Sequence, residues 1–238
     1  GVIPCPLPVD TAGRLLETDI DKAVKPDDFH HPVTKLLCLE NTVNGRIQTA
    51  EHLSNLCAAA RRHNLYCHLD GARLMNAAVA SNMQANAFTA SFDSVSLCLS
   101  KGLAAPVGSV LVGNKAFIGR ARRLRKQLGG GMRQVGMLAA AGHYALDHNI
   151  SRLQKDHERA FALATALQTI DDVHVDMDAV ETNMVYMKLP DDRTEGLKTY
   201  LAEQGLLISP AKQAFRLVVH KDISEQAVDL LADAVSSY

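Results

Sequence analysis

Several features that would mark a particular class of protein are missing from this 238-residue chain. No apolar run approaches the ~20 residues needed to span a bilayer. The formal net charge of -1 leaves no strong basic field to hold nucleic acid. The five cysteines include no Cys-x-x-Cys pair, which argues against a zinc or redox motif. No Gly-x-Gly-x-x-Gly follows the first predicted strand, which disfavours a dinucleotide-binding domain.

The cysteines and the start of the chain bear on its location. An odd number of unpatterned cysteines is typical of a reducing compartment, so we predict a cytoplasmic protein without a membrane partner. The start shows no secretory signal pattern. Because the chain begins with Gly1 rather than methionine, we expect a processed chain or a fragment of a longer one.

The order of predicted elements indicates the fold class. A hydrophobic content of 47% can bury a sizeable core. Short apolar runs read as strands, and segments with helical spacing lie between them; an uninterrupted helical stretch is expected from residue 132 to beyond 159. Such alternation predicts an α/β domain with a mostly parallel sheet, followed by a smaller α+β lobe. We place the two domains at residues 1–154 and 155–238. The predicted strands of the first domain are residues 35–39, 65–69, 94–99 and 109–112.

Two charged residues follow predicted strands. Asp70 ends the second strand and Lys101 comes just after the third, and open α/β sheets bind ligands at the carboxyl ends of their strands. A lysine in a partly buried site readily becomes a nucleophile for carbonyl groups. A carboxylate beside a pyridine nitrogen keeps that nitrogen protonated. The pair suits a pyridoxal-phosphate (PLP) site, although a solvated lysine and a turn aspartate are the alternative.

Five ordered segments resemble the PLP-dependent threonine aldolases. They are LCLENT (37–42), HLDGARLMNAAVA (68–80), SVSLCLSKGLAAPVGSVLVG (94–113), RKQLGGGMRQVGMLAAAGHYAL (125–146) and FRLVVH (215–220). The resemblance covers nearly the whole chain. It implies the PLP-dependent transferase fold of type I, with a large domain and a C-terminal small domain. It also implies retro-aldol cleavage of L-threonine or L-allo-threonine to glycine and acetaldehyde.

The resemblance also assigns roles to residues by position. Lys101 matches the lysine that binds PLP covalently, and Asp70 matches the aspartate that pairs with the pyridine nitrogen. Arg73 matches an arginine near the cofactor and the substrate carboxylate. Arg133 matches a basic residue near the phosphate. His30 matches a histidine near the substrate hydroxyl, with His31 as its competitor for that role.

Two further basic residues match substrate-binding positions of the family. Arg216 matches an arginine that clamps the substrate carboxylate, a task suited to a bidentate guanidinium. Lys126 matches a basic residue near the same carboxylate. Each assignment has a plainer alternative: Arg216 as an edge-strand surface charge, His30 as a turn cap, and Lys126 with Arg133 as part of a solvated basic helix.

The chain departs from the family in two places. Val43 stands where family members usually have a histidine, which puts activity or specificity in question. Family members also carry about a hundred residues before the match to Gly1, including a phosphate cradle at a helix N-terminus. We therefore keep two alternatives: another lyase acting on β-hydroxy amino acids, or an impaired relative that is a structural partner of longer chains. The family is commonly tetrameric, so we expect a homo-oligomer.

Overall fold

Two compact units make up the protein, a computed structural model that describes residues 2–209 and 214–238. The first unit comprises Gly1–Val43 and Ile47–Ile150, and the second comprises Asn44–Arg46 and Ser151–Tyr238. The short segment Asn44–Arg46 therefore belongs to the second unit, although the residues on either side of it belong to the first.

The first unit is built on a four-stranded sheet in the order β1-β2-β3-β4. Strands β1, β2 and β3 are parallel, whereas β4 runs antiparallel to β3. This confirms the predicted α/β class with a mostly parallel sheet. The strands are β1 Leu36–Glu40, β2 Tyr66–Gly71, β3 Ser94–Cys98 and β4 Ser109–Gly113. The helices are α1 Glu17–Ala23, α2 Ala50–Arg62, α3 Leu74–Ala80, α4 Ala85–Thr89, α5 Lys115–Gln127 and α6 Gly136–His148.

Helix α2 shows how local sequence sets this architecture. Its N-cap Thr49 accepts a hydrogen bond from the His52 N–H at 3.2 Å, which satisfies one of the free donors of the first turn. Apolar residues at helical spacing, among them Leu53 and Leu56, are buried within two core clusters. In β2 the alternation buries Leu69 completely and leaves Asp70 exposed.

The second unit is a three-stranded antiparallel sheet, in the order β5-β6-β7, with helices packed on it. One large apolar cluster, drawn from both the sheet and the helices, forms its core. The elements are α7 Leu153–Gln168, β5 His174–Val175, a short 3-10 helix Met177–Ala179, β6 Met184–Lys188, α8 Asp191–Glu203, β7 Phe215–Val218 and α9 Glu225–Ser236.

The prediction of one long helix from residue 132 to beyond 159 is wrong, because the chain breaks between α6 and α7. Asn149 is buried at the end of α6, and its side-chain amide donates to the Leu103 carbonyl at 2.8 Å. The alanine-rich spacing carries no sign of this long-range bond. Helix α8 begins with Asp191 and Asp192, whose carboxylates suit the positive end of the helix dipole.

No helix in the described part of the chain is both long and apolar enough to cross a membrane. The same residues contain no cluster of His, Cys, Asp or Glu suited to a metal ion.

Candidate active site

Two carboxylates stand side by side at the carboxyl end of the parallel sheet. Glu40 is the last residue of β1, and its register partner on β2 is Asp70. Ser96 of β3 is the register partner of Asp70 on the other side. Residues in register on neighbouring strands project to the same face. Glu40 and Asp70 are both exposed, so their carboxyl groups share one solvent-accessible edge of the sheet.

Lys101 lies on a well-anchored loop just after β3. The Leu99 N–H donates to the Gly108 carbonyl at 3.0 Å, and the Ala104 N–H donates to the Lys101 carbonyl at 2.8 Å. Gly102 and Leu103 are buried, whereas Lys101 itself is exposed. The loop is thus fixed by its backbone, and its amine is left at the surface at the carboxyl end of the sheet.

Arg73 is joined to the end of β1 through the backbone. It is the N-cap residue of α3, and its N–H donates to the Asn41 carbonyl at 3.2 Å. The Asn41 N–H in turn donates to the Asp70 carbonyl at 3.0 Å. These bonds hold the segment that carries Asp70 and Arg73 against the end of β1.

The electrostatics of Glu40 show that four charged groups share this region. Glu40 keeps an exposed surface, yet the surrounding protein desolvates its carboxyl group enough to raise its pKa. The Asp70 carboxylate raises the pKa of Glu40 further, whereas Lys101 and Arg73 lower it. The structure therefore brings together three of the predicted residues, Asp70, Arg73 and Lys101, and adds Glu40.

His30 lies in an exposed turn. Its Nδ1 is 2.8 Å from Asp28 Oδ1, and its backbone N–H donates to the same oxygen at 2.8 Å. The ring contacts that of Phe29 in a tilted arrangement, with the centroids 3.8 Å apart and the planes at 38°. The neighbouring His31 is exposed as well, and its N–H donates to the Asp28 carbonyl at 2.9 Å. Asp28 thus orients the His30 ring.

The end of α5 and the glycine-rich segment after it carry Lys126 and Arg133, respectively. Lys126 lies in the last turn of α5, and its Nζ donates to the Gly131 carbonyl at 3.4 Å. A Cβ on Gly131 would lie 2.4 Å from Lys126 Cδ, so the absence of a side chain lets the backbone pass close to this lysine. Arg133 is exposed in the segment between α5 and α6.

Arg216 belongs to the second unit. It lies in β7 between the buried residues Phe215 and Leu217, and its own side chain is exposed. Its register partner on β6 is Tyr186. The alternation of the strand therefore presents the guanidinium on the face opposite the core.

Val43 closely approaches the backbone at Gly13. A Cβ built on Gly13 would lie 2.6 Å from Val43 Cγ1. Gly13 has φ of +75°, a conformation in which glycine carries no penalty. The side chain at position 43 is therefore an apolar packing group within the first unit.

Glu40 and Asn41 belong to the LCLENT segment, but the sequence alone suggested no role for them. One feature of the sequence could have indicated them: both lie at the carboxyl end of a predicted strand, as Asp70 does, and ligands bind there. Their importance depends on the register between β1 and β2, which the sequence does not encode in any short pattern.

Comparison with known proteins assigns the family. A family model described as beta-eliminating lyase matches residues 1–190. Over 230 residues the chain is 44% identical to the low specificity L-threonine aldolase of Escherichia coli, with 95% of this chain and 68% of that protein covered. The chain belongs to the beta-eliminating lyase family. It spans about two thirds of the length of this relative.

Solved structures similar to this family member agree on the fold. The threonine aldolase of Leishmania major superposes with a TM-score of 0.76 at 22% identity, covering 99% of this chain and 69% of that one. A structure of serine palmitoyltransferase with PLP superposes with a TM-score of 0.69 at 17% identity, covering 93% and 58%. The fold is the PLP-dependent transferase fold of type I, as predicted.

Proposed function

We propose that this lyase catalyses the PLP-dependent retro-aldol cleavage of L-threonine and L-allo-threonine to glycine and acetaldehyde. The observation that carries the proposal is the grouping of Lys101, Asp70 and Arg73 at the carboxyl ends of neighbouring strands. Open α/β sheets bind their ligands at this edge. The similarity to threonine aldolases supports the choice of substrate.

The side chains present suit PLP. Lys101 offers a primary amine on an anchored loop, which is the group that binds an aldehyde covalently. Asp70 offers a carboxylate for the pyridine nitrogen. When bound, PLP supplies an electron sink for the breaking Cα–Cβ bond. We assign Arg133 to the phosphate and Arg73 to both the cofactor and the substrate.

We assign the substrate carboxylate to Arg73, Lys126 and Arg216. A guanidinium can hold both carboxylate oxygens at once, which fixes the orientation of the bond to be broken. The exposed position of Arg216 on the outer face of β7 supports its availability to a ligand. Val43, which carries no hydrogen-bonding group, takes no part in this assignment.

We assign His30 as the base that receives the β-hydroxyl proton. The Asp28 carboxylate can only accept hydrogen bonds, so the His30 Nδ1 carries the proton that faces it. In the neutral ring, Nε2 then carries the free lone pair that a base requires. The products balance when the hydroxyl proton goes to the base and a proton is returned to Cα, giving acetaldehyde and glycine.

We further propose two domains, residues 1–154 and 155–238, and a cytoplasmic homotetramer that acts in threonine breakdown and glycine formation. The division into compact units near residue 150 supports the domain boundary. The five cysteines are free thiols, which supports a reducing compartment.

The test is the visible absorption spectrum of the purified chain with added PLP, before and after borohydride reduction, followed by peptide mapping. We expect a reducible band, a stable adduct on Lys101, and acetaldehyde released from threonine. The Lys101→Ala variant should form no adduct. Lys155→Ala, which removes an exposed lysine of α7, is the matched control and should behave as the parent does.

The absence of any band, or an adduct that maps to another lysine, contradicts the proposal. Faster cleavage of phenylserine-like substrates than of threonine would contradict the assigned substrate and leave the cofactor assignment standing.

A further inference from the structure

The residue that follows β1 joins the ends of two strands. Asn41 is fully buried. Its backbone N–H donates to the Asp70 carbonyl at 3.0 Å, and its carbonyl accepts from the Arg73 N–H at 3.2 Å. The backbone of Asn41 is thereby bonded on both sides of the segment from which Asp70 and Arg73 project.

The side chain of Asn41 fixes this backbone in turn. Its Nδ2 donates to the Gln48 carbonyl at 3.0 Å, and its Oδ1 accepts from the Gln48 N–H at 3.2 Å. Gln48 is only 4% exposed. The amide therefore makes a reciprocal pair of hydrogen bonds away from water. Leaving such buried groups unpaired is costly, because they have no water to bond to instead.

The pair closes the base of a loop whose tip is held elsewhere. Residues 44–46, between Asn41 and Gln48, belong to the second unit. There the Thr182 Oγ1 donates to the Gly45 carbonyl at 2.7 Å, and Arg46 pairs with Asp176 at 2.7 Å. The bonds at the tip act on residues 45 and 46, whereas the Asn41 amide ties residues 41 and 48 together.

We propose that Asn41 is a positioning residue of the active site. Its side-chain amide holds the backbone of residue 41 and, through it, the bonded segment 70–73 from which Asp70 and Arg73 project; we call these residues the corner. The roles of those two residues rest on the proposed function, whereas the geometry of the corner does not. Asn41 acts through its neighbours, because both hydrogen-bonding groups of its side chain are already engaged by Gln48.

A matched control is available for the loss of a buried asparagine. Asn183 is 1% exposed, lies in the second unit, and donates from Nδ2 to the Val219 carbonyl at 2.7 Å. Asn41→Ala and Asn183→Ala therefore each remove a buried amide bonded to a backbone carbonyl. Only the first removes one at the corner that carries Asp70 and Arg73.

The first readout needs no cofactor. Hydrogen exchange of the Arg73 backbone N–H reports directly on its bond to the Asn41 carbonyl. Exchange should be about tenfold faster in Asn41→Ala than in the parent, which corresponds to a fall of about 1.4 kcal/mol in the free energy of local opening at this amide. Asn183→Ala should leave this amide at the parent rate. Equal Arg73 exchange in the two variants would overturn the proposal.

The second readout is cofactor binding. We expect the PLP dissociation constant to rise about tenfold in Asn41→Ala and to stay within about twofold of the parent in Asn183→Ala. The pH midpoint of the Lys101-bound absorption band should move in the first variant alone. A purely structural role would shift both variants alike, and that result would count against positioning.

Failure of the proposed function gives a different pattern. If the parent shows no band on Lys101, the cofactor assignment fails, and the Arg73 exchange comparison still decides whether Asn41 holds the corner. If Asn41→Ala does not fold, Asn41→Ser takes its place, since a serine hydroxyl is too short to bond both backbone groups of Gln48. Parent-like exchange of Arg73 in that variant would refute the inference.

Discussion

The two units bury their apolar strands to very different extents. In the second unit, Phe215 and Leu217 of β7 are 2% and 6% exposed within one large core. In the first unit, Leu111 and Val112 of β4 are 40% and 52% exposed, and the adjoining α5 buries no residue. Both strands are apolar, so the packing partners and not the strand composition decide burial.

The contrast suggests that one unit mainly sets the stability of the protein and the other carries its chemistry. The core of the second unit is closed around its sheet, whereas the first unit keeps its charged groups at an exposed edge and leaves the apolar residues of β4 partly exposed. Substitutions in the second unit should therefore lower the free energy of unfolding. Substitutions at the exposed edge should change activity and leave that free energy nearly unaltered.

The largest expected effect on stability is that of Leu217→Ala. Removing a buried leucine side chain loses transfer free energy and leaves a cavity, so the free energy of unfolding should fall by about 2–5 kcal/mol. Urea unfolding measures the difference from the parent. A loss below about 1 kcal/mol would show that the core around β7 collapses to fill the space, which would weaken the comparison.

The next effect is a pH dependence that arises in the same core. Burial lowers the pKa of His157 to about 4, below its ordinary 6.5, although Glu158 acts in the opposite direction. The unfolded chain therefore binds this proton more readily than the folded one. The stability contributed by neutral His157 is fully present above pH 6.5 and is lost as the pH falls toward 4, by about 3 kcal/mol in all.

The measurement is urea unfolding of the parent and of His157→Gln at several pH values between 4 and 7.5. The parent should lose more stability than the variant across the acid part of this range, because the variant has no imidazole to protonate. His174→Gln, which replaces an exposed histidine of the same unit, is the control and should follow the parent. Parallel pH curves for the parent and His157→Gln would refute the assignment.

At the exposed edge, Asp70→Asn should separate activity from stability. Asparagine is similar in shape but carries no charge to keep the pyridine nitrogen protonated, so kcat/KM for threonine should fall about a hundredfold. The free energy of unfolding should change by less than about 0.5 kcal/mol. Asp147→Asn, at an exposed position of α6, should change neither quantity. Unchanged kcat/KM in Asp70→Asn would remove Asp70 from the site.

The smallest expected effect comes from Leu111→Ala in β4. The same substitution as Leu217→Ala is made here at a residue that is 40% exposed instead of 6%. We expect a loss of about 0.5 kcal/mol in the free energy of unfolding, because little apolar surface is buried and no cavity forms. If the two substitutions lower the free energy of unfolding equally, Leu111 is buried in solution and the two units do not differ in the burial of their strands.

Much of the site region could be anticipated from the sequence. Asp70 ends an apolar run and Lys101 follows another, so the rule that ligands bind at strand carboxyl ends is enough to assign both to one edge of the sheet. The strands themselves were predictable from short apolar runs bounded by turn residues. His30, Lys126, Arg133 and Arg216 were selected by resemblance alone, and their roles stay predictions.

What could not be predicted depends on contacts between residues distant in sequence. The break at Asn149 depends on the Leu103 carbonyl, 46 residues away. The shift of Gly45 into the second unit depends on Thr182, 137 residues away. Local propensity and spacing carry no information about such partners, because any buried donor can satisfy the same carbonyl.

The sequence by itself determined the alternation of strands and helices and the chemical character of Asp70 and Lys101, because these follow from local periodicity and side-chain type. The family came from the resemblance of ordered motifs along the chain. Only the tertiary structure decided that Glu40 stands beside Asp70, and that Asn41 bonds to both Asp70 and Arg73. The physical reason is register. Parallel strands joined by a helix align only when the intervening helix packs, and that alignment sets which side chains meet at the edge of the sheet.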